Sequence, residues 1–173
     1  MNTKIKTERL LLRPLHLSDF ESMHEYASDK ENTKYMYHLP RNKEETKEFL
    51  LSVTNEWKKE QPSFYEFAIE LDGMLIGSIS VYLNDNRDGG DLGWILNKKY
   101  RNNGYATEAA AALKDFAIAI LQIKRLTASC DYRNKASVRV MEKIGLKLES
   151  DNGIRVYPKN NEAARELTYS LIV

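Results

Sequence analysis

The stretch from Tyr100 to Ala109 sets a basic residue, Arg101, then Asn102, Asn103, Gly104, Tyr105, Ala106 and Thr107 against an alanine-rich segment. A helix N-terminus has unpaired backbone N–H groups and a positive partial charge, so a loop that curls onto it can hold an anion. Gly104 lets the backbone approach closely, Ala106 keeps the entrance narrow, Thr107 adds a hydroxyl and Arg101 adds charge. Residues 101–107 therefore read as a cradle for a diphosphate. Gly and Asn ahead of a helix are also ordinary turn chemistry, and that reading stays open beside the first. The Gly-Lys-Ser/Thr ending of a P-loop and the Gly-x-Gly-x-x-Gly dinucleotide spacing are both missing, which weighs against ATP and NAD.

A second group follows. Asn134 leads a helical segment that carries Ser137, Met141 and Lys143 and stops at Gly145. Asn134 suits an N-cap and Gly145 a C-terminal stop. One helix and one strand separate this start from the loop at 101–106. In a strand–helix–strand–helix unit, both helix starts lie at the C-terminal edges of neighbouring parallel strands, around one cleft.

The elements that must position these groups are legible from period and punctuation. Residues 7–15 read as a strand ending near Pro14, and Ser18 or Asp19 as the cap of a short helix carrying Phe20, Met23 and Tyr26. Phe49, Leu50, Val53 and Trp57 fall at helical spacing between Pro40 and Pro62. Three strands joined by turns follow, in "SFYEFAIEL", "MLIGSISVYL" and "DLGWIL". Then come the alanine-rich helix, the strand "IKRLTASCDY", the Asn134 helix, a strand "GLKLESD", a loop and the strand "ARELTYSLIV". That order is α+β around one mixed sheet, with residues 1–173 as one domain.

Composition excludes several classes. Net charge is +1, with 26 Lys+Arg against 25 Asp+Glu and no clustered basic face, so a nucleic-acid partner is not expected. No stretch approaches a membrane span and the N-terminus lacks a signal-peptide pattern, which with the single Cys130 points to the cytoplasm. Cys130 reads as a buried thiol. His16, His24 and His38 are far apart and without Cys partners, so no metal site is expected.

Taken together, these segments resemble the GNAT superfamily of acetyl-CoA-dependent N-acetyltransferases. The likeness rests on Arg101-Asn102-Asn103-Gly104-Tyr105-Ala106 between "DLGWIL" and "TEAAAALKDFA", and on the later Asn134, Ser137 and "MEKIGL". The opening "TERLLLRPLHLSDFESM" resembles the branch of ribosomal-protein alanine N-acetyltransferases (RimJ/RimL-like). The resemblance implies a GNAT-like fold whose mixed central sheet, flanked by helices, splays between the fourth and fifth strands, separating "DLGWIL" from "IKRLTASCDY". Pantetheine would enter the gap and pair with free backbone groups of Trp94, Ile95 and Leu96. The N–H groups from Asn102 to Ala106 would take the pyrophosphate, helped by Arg101 and Thr107, and Asn134 would bond the acetyl-CoA near its thiol end.

The implied chemistry is direct transfer to a primary amine, of a protein N-terminus or a small molecule. Such a site needs a base for the amine proton, a donor for the oxyanion and a proton for the leaving sulfur. A backbone N–H of "DLGWIL" is the oxyanion donor by resemblance. Asp91 stands where many members carry Glu and is the base, or else a solvated residue at a strand start; Glu66 is the alternative. Many members carry Tyr where this chain has Met141, so Ser137 takes the acid role, or only contacts the cofactor; Tyr132 is a further hydroxyl. Tyr35, Tyr37, Trp57, Phe64 and Tyr65 are expected on the acceptor side, with 32–40 as a substrate-facing loop. A non-catalytic acyl-CoA-binding module on the same fold is the competing reading. Family members often dimerise, and the apolar C-terminal strand offers an edge for it.

Overall fold

Alternating apolar residues between polar turns build an antiparallel meander, and the helix-forming segments cover its two faces. The computed structural model describes residues 3–38, 40–158 and 160–173. The strands are β1 (Ile5–Lys6), β2 (Leu10–Pro14), β3 (Phe64–Leu71), β4 (Met74–Leu83), β5 (Gly89–Leu96), β6 (Arg125–Asp131), β7 (Lys147–Tyr157) and β8 (Glu162–Ile172). They form one sheet in the order β1-β2-β3-β4-β5-β6-β8-β7, antiparallel except for β5 beside β6. The helices are α1 (Phe20–Ala27), α2 (Lys43–Glu56), α3 (Tyr105–Ala119) and α4 (Lys135–Lys143).

Strand alternation divides the core. Phe67, Ile69, Ile79, Val81 and Leu92 point to one face, against Ala109, Leu113 and Phe116 of α3. Ala68 and Leu75 point to the other, against Met23, Tyr26 and Ala27 of α1 and Leu50 and Val53 of α2. That second face also buries Glu66, Ser78 and Ser80. α2 starts on a capping box, with Asn42 accepting from the Glu45 N–H at 2.9 Å and Glu45 accepting from the Asn42 N–H at 2.8 Å.

The splay lies where expected. β5 and β6 pair only from Gly89 and Arg125 to Asp91 and Thr127. Beyond that point β5 stays with β4 as far as Leu96, and β6 stays with β8 as far as Asp131. Gly90 permits the close packing at the apex: a Cβ there would lie 2.8 Å from Val81 Cγ2 and 3.1 Å from Leu126 Cδ2.

Three expectations change. The segment 7–15 is not one strand, because Thr7 Oγ1 bonds Leu10 and turns the chain between β1 and β2. The loop expected after "GLKLESD" is strand: β7 runs on to Tyr157, passing its polar stretch through register shifts near Ser150. The C-terminal strand β8 is hydrogen-bonded on both sides over 166–170, so the free edge belongs to β7. Among the described residues, no helix is long and apolar enough to cross a membrane.

Candidate active site

A cavity of ≈ 550 Å³ opens through the splay, with Leu92, Gly93, Trp94 and Ile95 of β5 on one wall and Ser129, Cys130, Asn134 and Ser137 on the other. The edge of β5 that faces it is set by the antiparallel ladder. Asn97 N–H bonds Ile76 O at 2.8 Å, and Asn84 N–H bonds Gly89 O at 3.0 Å. Backbone groups alternate between the two sides of a strand, so Gly89, Asp91, Gly93, Ile95 and Asn97 turn theirs to β4. Leu92, Trp94 and Leu96 turn theirs to the gap. The Leu96 carbonyl accepts from Asn32 Nδ2 at 3.0 Å. Trp94 thus offers the gap a donor and an acceptor, and Leu96 a donor. Ile95 departs from expectation: by this alternation its backbone belongs to β4.

The loop ahead of α3 leaves free the backbone N–H groups that an anion cradle needs. Asn102 and Gly104 both hold positive φ, 66° and 82°, and Gly104 is the N-cap of α3. The backbone N–H groups from Asn102 to Thr107 donate to no other described residue. Convergent N–H groups at a helix start favour phosphate. Asn103 closes the loop by donating from Nδ2 to the Tyr100 and Arg101 carbonyls at 3.2 and 3.0 Å. Arg101 turns away, its Nη2 3.5 Å from Asn32 O.

Arg9, which sequence reasoning missed, stands over this loop instead. Its Nη1 donates to Asn103 O at 3.0 Å, and its guanidinium lies 4.6 Å from the Tyr105 ring centroid. Glu108, one turn into α3, fixes it through Nε at 2.7 Å and also accepts from Thr7 Oγ1 at 2.6 Å. The residues that place Arg9 are about a hundred positions away, so no local pattern could have found it.

At the opposite helix start, Asn134 Oδ1 accepts from the Ser137 N–H at 3.2 Å, and Asn134 Nδ2 donates to Ser137 Oγ at 3.0 Å. The Ser137 hydroxyl keeps its own proton for another acceptor. Tyr132 does not line the cavity, and its ring lies under Arg133, Lys135 and Arg165. Met141 is fully buried in the core, so its identity says nothing about the cleft. Cys130 is buried, and burial pushes its thiol up to about 11.

Two carboxyls from the sequence reach the cavity. Asp91 sits at the apex of the splay and accepts from Thr127 Oγ1 at 2.7 Å. Its side chain opens to the cleft, yet surrounding protein raises its pKa. Burial is the main cause; the Thr127 bond opposes it and the Glu166 charge adds to it. Glu66 lies two strands away, opposite Ser80, which is opposite Gly93. Burial pushes Glu66 up to about 6, against the opposing effect of the Ser78 and Ser80 hydroxyls and the Arg41 charge.

The acceptor side differs from expectation. Tyr35 and Tyr37 line the cavity, whereas Trp57, Phe64 and Tyr65 do not. Trp57 packs edge-on against Tyr65 and Phe67, and Phe64 stacks on Tyr82. Their places are taken by Tyr26, Arg41, Phe49 and Tyr82, and by Arg155 and Glu166 of β7 and β8. Arg155 donates to Glu166 Oε2 at 2.8 Å, to Tyr35 O at 3.3 Å and to Ser129 O at 3.2 Å, tying the 35–37 segment to the sheet. Leu39, inside the expected substrate-facing loop, lies outside the described residues.

A mixed sheet of this order, covered by helices on both faces, matches solved acetyltransferase structures. Residues 9–147 match the acetyltransferase (GNAT) domain, and the chain belongs to that family of acetyltransferases. It is 32% identical over 168 residues, 97% of this chain and 96% of the other, to the N-acetyltransferase YnaD of Bacillus subtilis (strain 168). The crystal structure of a GNAT-family acetyltransferase from Bacillus anthracis superposes with a TM-score of 0.86 at 33% identity, covering 98% of each chain. RimL, a ribosomal L7/L12 α-N-protein acetyltransferase solved with coenzyme A, shares the fold at a TM-score of 0.87 and 18% identity, over 99% of this chain and 98% of its own.

Proposed function

We propose that this acetyltransferase moves the acetyl group of acetyl-CoA directly to a primary amine, on a small molecule or a protein N-terminus. One observation carries the reading: the unpaired edge of β5 leads from the free N–H groups of 102–107 to Asp91 and Glu66 in the cavity. Support comes from fold relatives, RimL with coenzyme A and the microcin C7 self-immunity acetyltransferase MccE with acetyl-CoA and AMP. A further fold relative, from Salmonella typhimurium, modifies the N-terminal serine of ribosomal protein L7/L12.

In this reading the N–H groups from Asn102 to Thr107, with Arg9 above them, hold the pyrophosphate. Trp94 and the Leu96 N–H pair with the pantetheine amides as a neighbouring strand would. Asp91, at the apex, takes the proton of the attacking amine, directly or through water. The amine nitrogen bonds the thioester carbon, and a β5 N–H stabilises the oxyanion. As the carbon–sulfur bond breaks, Ser137, held by Asn134, supplies the proton that makes coenzyme A a thiol.

The test is calorimetric binding of acetyl-CoA. The wild type binds, and Gly104→Glu, which sets an anion where the phosphates lie, does not. Because Gly104 has positive φ, Ala106→Glu at an ordinary helical position is the companion variant, with circular dichroism confirming the fold. A wild type that fails to bind acetyl-CoA sinks the reading.

A further inference from the structure

The transfer reading leaves one wall of the cavity unused. Arg41 stands just ahead of α2, with its backbone N–H donating to Ala27 O at 2.8 Å and its guanidinium 4.0 Å from the Phe49 ring centroid. Among the described residues that guanidinium has no hydrogen-bond or ion-pair partner. Arg155, across the cavity, is the opposite case, with Glu166 and two carbonyls engaged. Burial lowers the Arg41 pKa, and neither the Phe49 ring nor the more distant charges of Glu66 and Glu45 replace the hydrogen bonds lost from water.

Beside Arg41, Tyr26 is 1% exposed and lines the same cavity, yet its hydroxyl makes no hydrogen bond of ordinary geometry, the Ser78 hydroxyl acting on it only weakly against its burial. The Tyr26 oxygen is the single buried side-chain polar atom so left among the described residues. Glu66, also on this face, feels the Arg41 charge but forms no ion pair with it. Arg41 and Glu66 therefore share this face without pairing with each other.

Resting on the transfer reading, we propose that the acceptor is a small amino-carboxylate. Its carboxylate takes the Arg41 fork and the Tyr26 hydroxyl, while its amine faces Asp91 and Glu66. A planar guanidinium matches a carboxylate through two parallel bonds. The held-apart charges suit a zwitterion better than a diamine, which would meet Arg41 with like charge.

The experiment measures kcat/KM of the wild-type enzyme for the common amino acids, their carboxamides, putrescine and ethanolamine phosphate, with acetyl-CoA affinity followed in parallel. The expected result is a preference for an amino acid over its own carboxamide. Arg41→Gln lowers kcat/KM for that amino acid roughly 10- to 100-fold and erases the preference, as loss of a charged hydrogen bond does. Arg41→Lys keeps part of the preference, Tyr26→Phe weakens it, and acetyl-CoA affinity holds in all three. A wild type that binds acetyl-CoA but prefers carboxamides, putrescine or ethanolamine phosphate, or acetylates none of the set, overturns the inference. A wild type that does not bind acetyl-CoA takes the transfer reading down first, and the inference with it.

Discussion

Asp131 at the end of β6 and Glu66 in the middle of β3 are both buried acids, and their surroundings treat them in opposite ways. Asp131 accepts from the Arg133 backbone N–H at 2.9 Å, from its Nε at 2.9 Å and Nη2 at 2.7 Å, and from Tyr157 Oη at 2.8 Å. Those bonds overcome burial and hold its carboxyl down at about 2. At Glu66 burial outweighs the Ser78 and Ser80 hydroxyls and the Arg41 charge, and its carboxyl rises to about 6. The difference separates two uses of a buried charge. A fully bonded acid fastens the fold, and an acid raised by burial beside a cavity is the kind that functional sites use.

The contrast can be broken at either acid. Removing the charge at Asp131 has the larger effect on stability. Asp131→Asn is expected to lose roughly 2–3 kcal/mol near neutral pH, read by urea unfolding. The folded pKa lies below the ordinary carboxylate value, so the wild-type advantage is complete above about pH 4 and fades as pH falls towards 2. A variant as stable as wild type at pH 7 would remove Asp131 as the fastened member of the pair.

At Glu66 the sign reverses. Its folded pKa is raised, so the carboxyl costs nothing below the unfolded value of 4.5 and costs most above about pH 6. Glu66→Gln should therefore gain roughly 2 kcal/mol above pH 6, with the gain vanishing as pH falls below 4.5. The same change should depress turnover and abolish a rise in kcat/KM centred near pH 6. A destabilised variant with an unchanged pH profile would make Glu66 an ordinary structural acid.

The smallest effect sharpens the contrast at the Asn134 cap, which belongs to both uses. Asn134→Ala should cost about 1 kcal/mol, as loss of an N-cap does. Because Asn134 also positions Ser137, kcat should fall while acetyl-CoA still binds. Stability loss with kcat untouched would confine Asn134 to capping.

What the sequence disclosed was local. Gly104 and Asn134 mark helix starts through backbone chemistry, and such chemistry is written within a few residues. The splay was foreseen from family resemblance, not from period. Ile95 was misjudged because strand alternation needs a register, which comes from the bond between Asn97, just past the end of β5, and Ile76 of β4. Trp57, Phe64 and Tyr65 are aromatic like their neighbours Tyr35 and Tyr37, and composition does not say which rings face a cavity. Arg9, Arg41, Arg155 and Glu166 reach the site from distant segments; Arg155 meets Tyr35 across 120 positions. The β7 strand hid behind polar residues because its register shifts let Glu149, Asp151 and Asn152 pass without breaking the sheet.

The short β5–β6 ladder has a mechanical consequence. Between Asp91 and Thr127 the sheet stops being a continuous fabric and becomes two panels stitched at one corner. A ligand laid along the open seam would complete the stitching, so the panels should exchange their amide hydrogens as separate units when empty and as one when filled.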